Sequence, residues 1–282
     1  MDGLYGLKEH IVIPSSQRKN ISSKRMQISD LEVEVSFGKN GCFVRAGREN
    51  LKDCQDYAGI LFDEDEGIKV GIVADGVSQT LAGQSAAYAI VPSLLQKLRY
   101  FDEELDEIVV REMLSELPNP LVDIPGLYGE EGSSAERRGR RRVAQEKTIG
   151  STTFLAAYRS GAQLHIFGVG DCGGSVILGD EVIEIGKIYF GPPAQIAYLP
   201  DGGIKGSEGD VYFYSTEIVP GNAVVLVTDG CLKNRLTGVE IGKRLSKGGM
   251  NEAEVVNIFM ESLARYEGAG LRDDATLAYI GF

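Results

Sequence analysis

Four aspartates stand where apolar stretches of this chain end or begin. Three of them close hydrocarbon-rich segments: KVGIVAD ends at Asp75, HIFGVGD at Asp171 and AVVLVTD at Asp229. The fourth, Asp273, precedes the apolar run ATLAYI, and Asp56 is a candidate fifth. A carboxylate at the end of such a strand sits where packed core meets solvent. Burying its charge costs several kcal/mol unless it is paired or binds a metal. Strand ends converging on one cation site would resolve that conflict. Hard divalent ions such as Mg2+ and Mn2+ take oxygen ligands, and two of them together can hold a phosphate and activate water. Zinc fits less well, because the chain has two histidines, His10 and His165, and neither neighbours another strong ligand. Taken singly, Asp75-Gly76 and Asp229-Gly230 read equally well as ordinary turns. The joint pattern favours the cation.

These aspartates need a scaffold, and the hydropathy pattern outlines one. Residues 1–28 read as a polar, irregular N-terminal extension. From Leu31, LEVEVSF alternates with period two, the mark of a half-buried strand. CFVRA, YAGILFD and IKVGIVA continue as strands. Residues 85–98 carry a helical period with a kink expected at Pro92, and 101–114 read as a second helix. Strands resume at STTFLAAY, QLHIFGV and GSVILG, with a further one over 182–188, then at VYFYST and AVVLVTD. Helices are expected over 238–247 and 251–266, and ATLAYIGF reads as a final strand. Two Pro/Gly-rich stretches, 116–134 and 189–209, read as loops. A loop of the second length inside a domain is commonly a lid or binding loop. Helical pairs separated by many short strands predict an α+β architecture, a sandwich of antiparallel sheets with helices outside both faces. Residues 29–282 form one domain in this reading.

Composition bounds the function. A hydrophobic share of 43% suffices for a sizeable core in 282 residues. The net charge of −12 argues against a protein that binds nucleic acid by neutralising phosphates, and suits one that gathers divalent cations. None of the four cysteines forms a CxxC pair. No signal-peptide pattern and no apolar run of membrane-spanning length occurs, so a cytoplasmic protein that avoids membranes is expected.

Five segments in order, DCQDYAG, VADGVSQTLAGQSAA, GSTTFLAAYRSGAQLHIFGVGDCGGSVIL, VVLVTDGCLKN and RDDATLAYIGF, resemble the motifs of PP2C-type metal-dependent protein phosphatases. The Cys-Gln-Asp of the first is similar to the divergent prokaryotic branch. The likeness spans about 31–282. It implies a four-layer αββα sandwich with two, or three, Mn2+ or Mg2+ ions at one end. Asp75 would bridge two ions and the Gly76 carbonyl would bind one of them. Asp229 and Asp273 would bind the other, Asp56 would hold metal-bound water, and Asp171 would lie beside the centre near a looser third ion. Asp274 would take the place of the family's frequent Asn, and Thr276 that of its hydroxyl residue. The stretch 189–209 falls where the family carries a substrate-selecting flap. The implied activity is hydrolysis of phosphoserine or phosphothreonine in a protein substrate, by direct attack of a metal-bridging hydroxide. A monomer is expected.

The chain also departs from that pattern. Val77-Ser78-Gln79 lacks the glycines that usually follow the bridging aspartate. No histidine lies there to protonate the leaving group. The usual phosphate-binding arginine position is Leu51, leaving Arg48 or Arg45 as substitutes. An exposed loop arginine is the plainer reading of Arg48. The basic run Arg137–Arg142 reads best as a solvated face. Cys54, Cys172 and Cys231 lie within two residues of these aspartates. Packing explains them better than redox control, although oxidation there could displace a ligand. Two other functions stay open. One is a phosphatase-like module that binds phosphorylated or regulatory partners without turnover. The other is a two-metal hydrolase of nucleotides or small phosphoesters, though no P-loop pattern is present.

Overall fold

The computed structural model describes residues 22–28, 31–38, 41–47, 54–63, 67–77, 80, 82–123, 148–186, 194–206, 211–233, 237–248, 251–264 and 273–282. In chain order the strands are β1 (Ser22–Ile28), β2 (Leu31–Gly38), β3 (Gly41–Ala46), β4 (Tyr57–Asp63), β5 (Ile68–Gly76), β6 (Gly150–Ser160) and β7 (Gln163–Val169). They continue with β8 (Gly173–Leu178), β9 (Glu181–Gly186), β10 (Ile196–Tyr198), β11 (Ile204–Lys205), β12 (Val211–Glu217), β13 (Ala223–Val227) and β14 (Ala275–Gly281). The helices are α1 (Gly83–Arg99), α2 (Glu107–Ser115), α3 (Asp229–Lys233), α4 (Gly238–Gly248) and α5 (Glu252–Ala264).

The strands form two seven-stranded sheets, and every pairing is antiparallel. One sheet runs β1-β2-β3-β14-β13-β8-β9. The other is built on β6, which pairs β5 along one side and both β7 and β10 along the other; β4, β12 and β11 complete it. Each sheet packs one face on helices and the other on its partner sheet. Strands buried on both faces carry continuous apolar runs, which is why all of β13 is buried. Three apolar layers result. Val70, Ile72, Ile90 and Leu94 join the second sheet to α1. Val44, Val225, Ile241 and Phe259 join the first sheet to α4 and α5. Val73, Leu155, Val224, Leu226 and Ala278 fill the space between the sheets. This is the expected αββα sandwich.

Several local expectations shift. Residues 22–28, read as part of an irregular extension, form β1 and pair with β2 along its length. The second helix begins at Glu107 rather than at residue 101, because the Asp106 side chain accepts the Val109 N–H at 2.8 Å and caps the start. Helix α1 runs on through Pro92. The described part of the 189–209 stretch is no loop: β10 and β11 form a hairpin on the edge of β6. Its turn closes with Leu199 N–H to the Gly203 carbonyl, and Gly202 takes φ +92°, a conformation glycine adopts without strain. The Asn119 amide donates to the Leu199 and Gly203 carbonyls and pins this turn. Strands of three and two residues are too short for a period to show in sequence. Arg48, the basic run Arg137–Arg142 and residues 1–21 lie outside the described residues.

Candidate metal centre

Strand parity places the carboxylates. Gly71 and Val73 in β5 point between the sheets, and Asp75 follows with the same parity. Val224 and Leu226 point the same way in β13, so Thr228 does too, and Asp229 opens α3 just beyond. Ala278 and Ile280 in β14 share that face, which carries Thr276. Ala58 in β4 is of this set as well, with Asp56 two residues before it. The ends of β5, β13, β14 and β4 therefore bring their polar residues to one end of the inter-sheet space.

The closest grouping is Asp75, Asp171 and Asp229. Each is half-buried, and one carboxylate oxygen from each lies within 4.8 Å of the others. Asp171 stands in this triad with Asp75 and Asp229. Asp56 is 1% exposed and accepts the Thr228 hydroxyl at 2.5 Å. The Asp273 Oδ1 accepts the Asp274 N–H at 3.0 Å, and Asp273 is not one of the triad. Asp274 Oδ2 accepts the Gln55 N–H at 2.7 Å, and the Gln84 side chain donates to the Cys54 carbonyl at 2.9 Å. With Gly76 N–H bonded to the Gln55 carbonyl, these contacts lock the segment that presents Asp56.

The glycines after Asp75 and Asp229 serve close approach. A Cβ on Gly76 would lie 2.4 Å from the Gly83 carbonyl oxygen, and one on Gly230 would lie 1.5 Å from that of Asp274. Each lets a neighbouring backbone pass directly beside a site aspartate.

Crowded carboxylates repel and resist burial. Burial, with Asp274 and Asp229 adding to it, pushes the Asp56 carboxyl up to about 8 against the hydrogen bonds from Thr228 and Asp75. Asp75 is also pushed well above the carboxylate range, by burial first and then by Asp56 and Asp229. Such a set of oxygen donors is stabilised by a hard divalent cation, so the residues present fit Mg2+ or Mn2+. The three nearby thiols do not compete for this role. Cys54, Cys172 and Cys231 are buried, and burial raises each well above its ordinary pKa. They pack the strand ends.

Arg45 is not aimed at the centre. Its Nε meets Glu34 Oε2 at 2.7 Å, its Nη1 donates to the Tyr88 hydroxyl at 2.6 Å, and it lies over the rings of Tyr57 and Tyr88. A groove of about 660 Å³ between the end of α1 and α2, lined by Tyr100, Glu103, Met113 and Glu116 among others, contains none of the aspartates discussed. No helix among the described residues is long and apolar enough to cross a membrane.

Thr228, Gln84 and the tethering role of Asp274 were not visible in the sequence. The one signal for Thr228 was its place beside Asp229, and a threonine before Asp-Gly has no distinctive pattern.

Comparison with known proteins agrees with this architecture. A family model described as "Protein phosphatase 2C" matches residues 46–270. A search of curated proteins gives no match. Among solved structures, a bacterial serine phosphatase carrying an arginine-to-lysine substitution shares 15% identity, covering 86% of this chain and 96% of that one, with a TM-score of 0.57. The serine/threonine phosphatase Stp1 from Staphylococcus aureus shares 13%, covering 93% and 94%, with a TM-score of 0.55. RsbX, in complex with magnesium, shares 15%, covering 92% and 98%, with a TM-score of 0.52. At these identities the likeness is one of fold.

Proposed function

The chain belongs to the protein phosphatase 2C family, and on that premise we propose that it hydrolyses phosphoserine and phosphothreonine in protein substrates in a divalent-metal-dependent reaction. The observation that carries this reading is the Asp75–Asp171–Asp229 triad, with its oxygens within 4.8 Å, beside the buried Asp56. Asp75, Asp229, Asp273, Asp171 and the Gly76 carbonyl would hold two or three Mn2+ or Mg2+ ions, which supply Lewis-acid activation of water and charge neutralisation at phosphorus.

The remaining work falls to the chain's own groups. Asp56, fixed by Thr228, would accept a hydrogen bond from the attacking water and aim it at phosphorus. In this reading attack is direct, without a phosphoenzyme, as the family resemblance implies, and the buried thiols take no part. Arg45 is engaged by Glu34 and Tyr88, and Arg48, near the family's usual arginine position, is the residue proposed to bind phosphate. The segment leading into β10 passes beside Asp171: a Cβ on Gly170 would lie 2.9 Å from the Ala194 carbonyl oxygen, and substrate contacts from this side are part of the proposal.

The test is hydrolysis of an aryl phosphate and of a phosphopeptide with Mn2+, Mg2+ or chelator, for wild type and for Asp75→Ala and Asp229→Ala. Metal-dependent turnover should vanish in both variants. Near-wild-type turnover in either would remove the assignment. Phosphopeptide binding with no turnover under any metal would make the protein a binding module instead.

A further inference from the structure

Thr228 is fully buried between β13 and α3, and its hydroxyl is bonded on both sides. The Thr276 N–H donates to its Oγ1 at 3.0 Å. The hydroxyl proton then has two acceptors in reach, Asp56 Oδ2 at 2.5 Å and the Thr276 carbonyl at 3.4 Å. The Thr276 carbonyl already takes the Thr228 N–H at 3.0 Å and the Cys231 thiol at 3.3 Å. Distance and competition both direct the proton to Asp56. A polar chain of fixed direction results: Thr276 N–H to Thr228 Oγ1, and Thr228 O–H to Asp56 Oδ2.

We infer that Thr228 is a positioning residue that sets the orientation of the Asp56 carboxylate. A carboxylate on an irregular segment turns about its own Cβ–Cγ bond unless one oxygen is held. Asp56 precedes β4, just beyond its paired residues, and its carboxyl also shares a hydrogen bond with Asp75. Thr228 holds Oδ2, on the carboxyl that also meets Asp75. The anchor is rigid because it is hung from the last rung between β13 and β14, the rung that also launches Asp229. One residue thereby couples the approach of two aspartates from opposite sheets. Asp56 would act on the metals through bound water, and outer-shell partners of a metal site are commonly needed for full affinity: losing one weakens binding about 10–100-fold.

This inference rests on the proposed metal-dependent reading, and its test separates the two. Mn2+ binding is measured by calorimetric titration of wild type, Thr228→Val and Thr228→Ser, together with melting temperature and the kcat and KM for a phosphopeptide. Valine keeps the volume and removes the hydroxyl; serine keeps the hydroxyl and removes a methyl. We expect Thr228→Val to bind Mn2+ at least about 10-fold more weakly and to lose kcat with KM unchanged. Thr228→Ser should bind Mn2+ within about twofold of wild type even where its melting temperature falls. Equal Mn2+ affinity in wild type and a folded Thr228→Val overturns the inference while leaving the phosphatase reading intact. If the valine variant does not fold, a large loss of affinity in the serine variant overturns it, and retained affinity supports it. No Mn2+ binding by wild type removes the phosphatase reading itself, and this inference with it.

Discussion

Asp274 Oδ2 accepts the backbone N–H of Gln55 at 2.7 Å, joining segments 219 residues apart in the chain. The first presents Asp56 and the second carries Asp273 into β14. The Gln55 carbonyl already takes the Gly76 N–H, so the Asp274 carboxylate serves the remaining backbone donor of Gln55. It also places another negative charge beside Asp56.

Asp274→Ala should therefore lower stability by about 1.5–3 kcal/mol, the range for a hydrogen bond to a charged acceptor. Asp274→Asn keeps an acceptor oxygen and removes a repelling charge, so it should lie close to wild type in metal-free protein. Urea unfolding of the three proteins checks this. Equal loss in both variants would show that charge, and not acceptance of the Gln55 N–H, is what matters.

Metal-free protein should lose stability as pH rises. Asp56 sits at about 8 when folded, against about 4 in an unfolded chain, and Asp75 is raised as well. Between those values the unfolded chain releases protons that the folded state keeps. The folded state then binds more protons, so stability falls as pH rises from about 4 through about 8. Metal binding replaces these protons, so the rise in melting temperature on adding Mn2+ should be larger at pH 8 than at pH 6. Asp75→Asn should melt higher than wild type in chelator at pH 8 and show no rise with Mn2+. Calorimetry at the two pH values decides it, and a wild-type melting temperature in chelator that climbs with pH would contradict the account.

Arg45 holds the open edge of the sandwich together. Its side chain is 3% exposed, and it links Glu34 in β2 to Tyr88 in α1 across the Tyr57–Tyr88 stack, whose ring centroids lie 4.2 Å apart. Arg45→Met strands Glu34 and should cost about 3–5 kcal/mol. Arg45→Lys should recover part of that, because an ammonium cannot serve both partners with a planar fork. Replacing Glu34 and Arg45 together by apolar residues should cost less than the sum of the single changes, as read from a double-mutant cycle in urea.

The αββα order of elements was readable because strands buried on both faces, such as β13, leave unbroken apolar runs, and amphipathic helices leave a different period. The aspartates were readable for a related reason: a charge closing such a run is anomalous by itself. Short elements escaped. The three-residue β10 and two-residue β11 carry no period, and β1 has a polar sequence whose strand state comes from pairing with β2.

The sequence by itself singled out the candidates: Asp56, Asp75, Asp171, Asp229 and Asp273 stand out by residue type against their apolar neighbours. Only the tertiary structure decided how they group. It drew Asp171 into a triad with Asp75 and Asp229, engaged Arg45 with Glu34 and Tyr88, and set Thr228 behind Asp56. The physical reason is that burial and local period are written along the chain. Distances between strand ends depend on twist, register and the close approaches that Gly76 and Gly230 permit, and those exist only once the two sheets have packed.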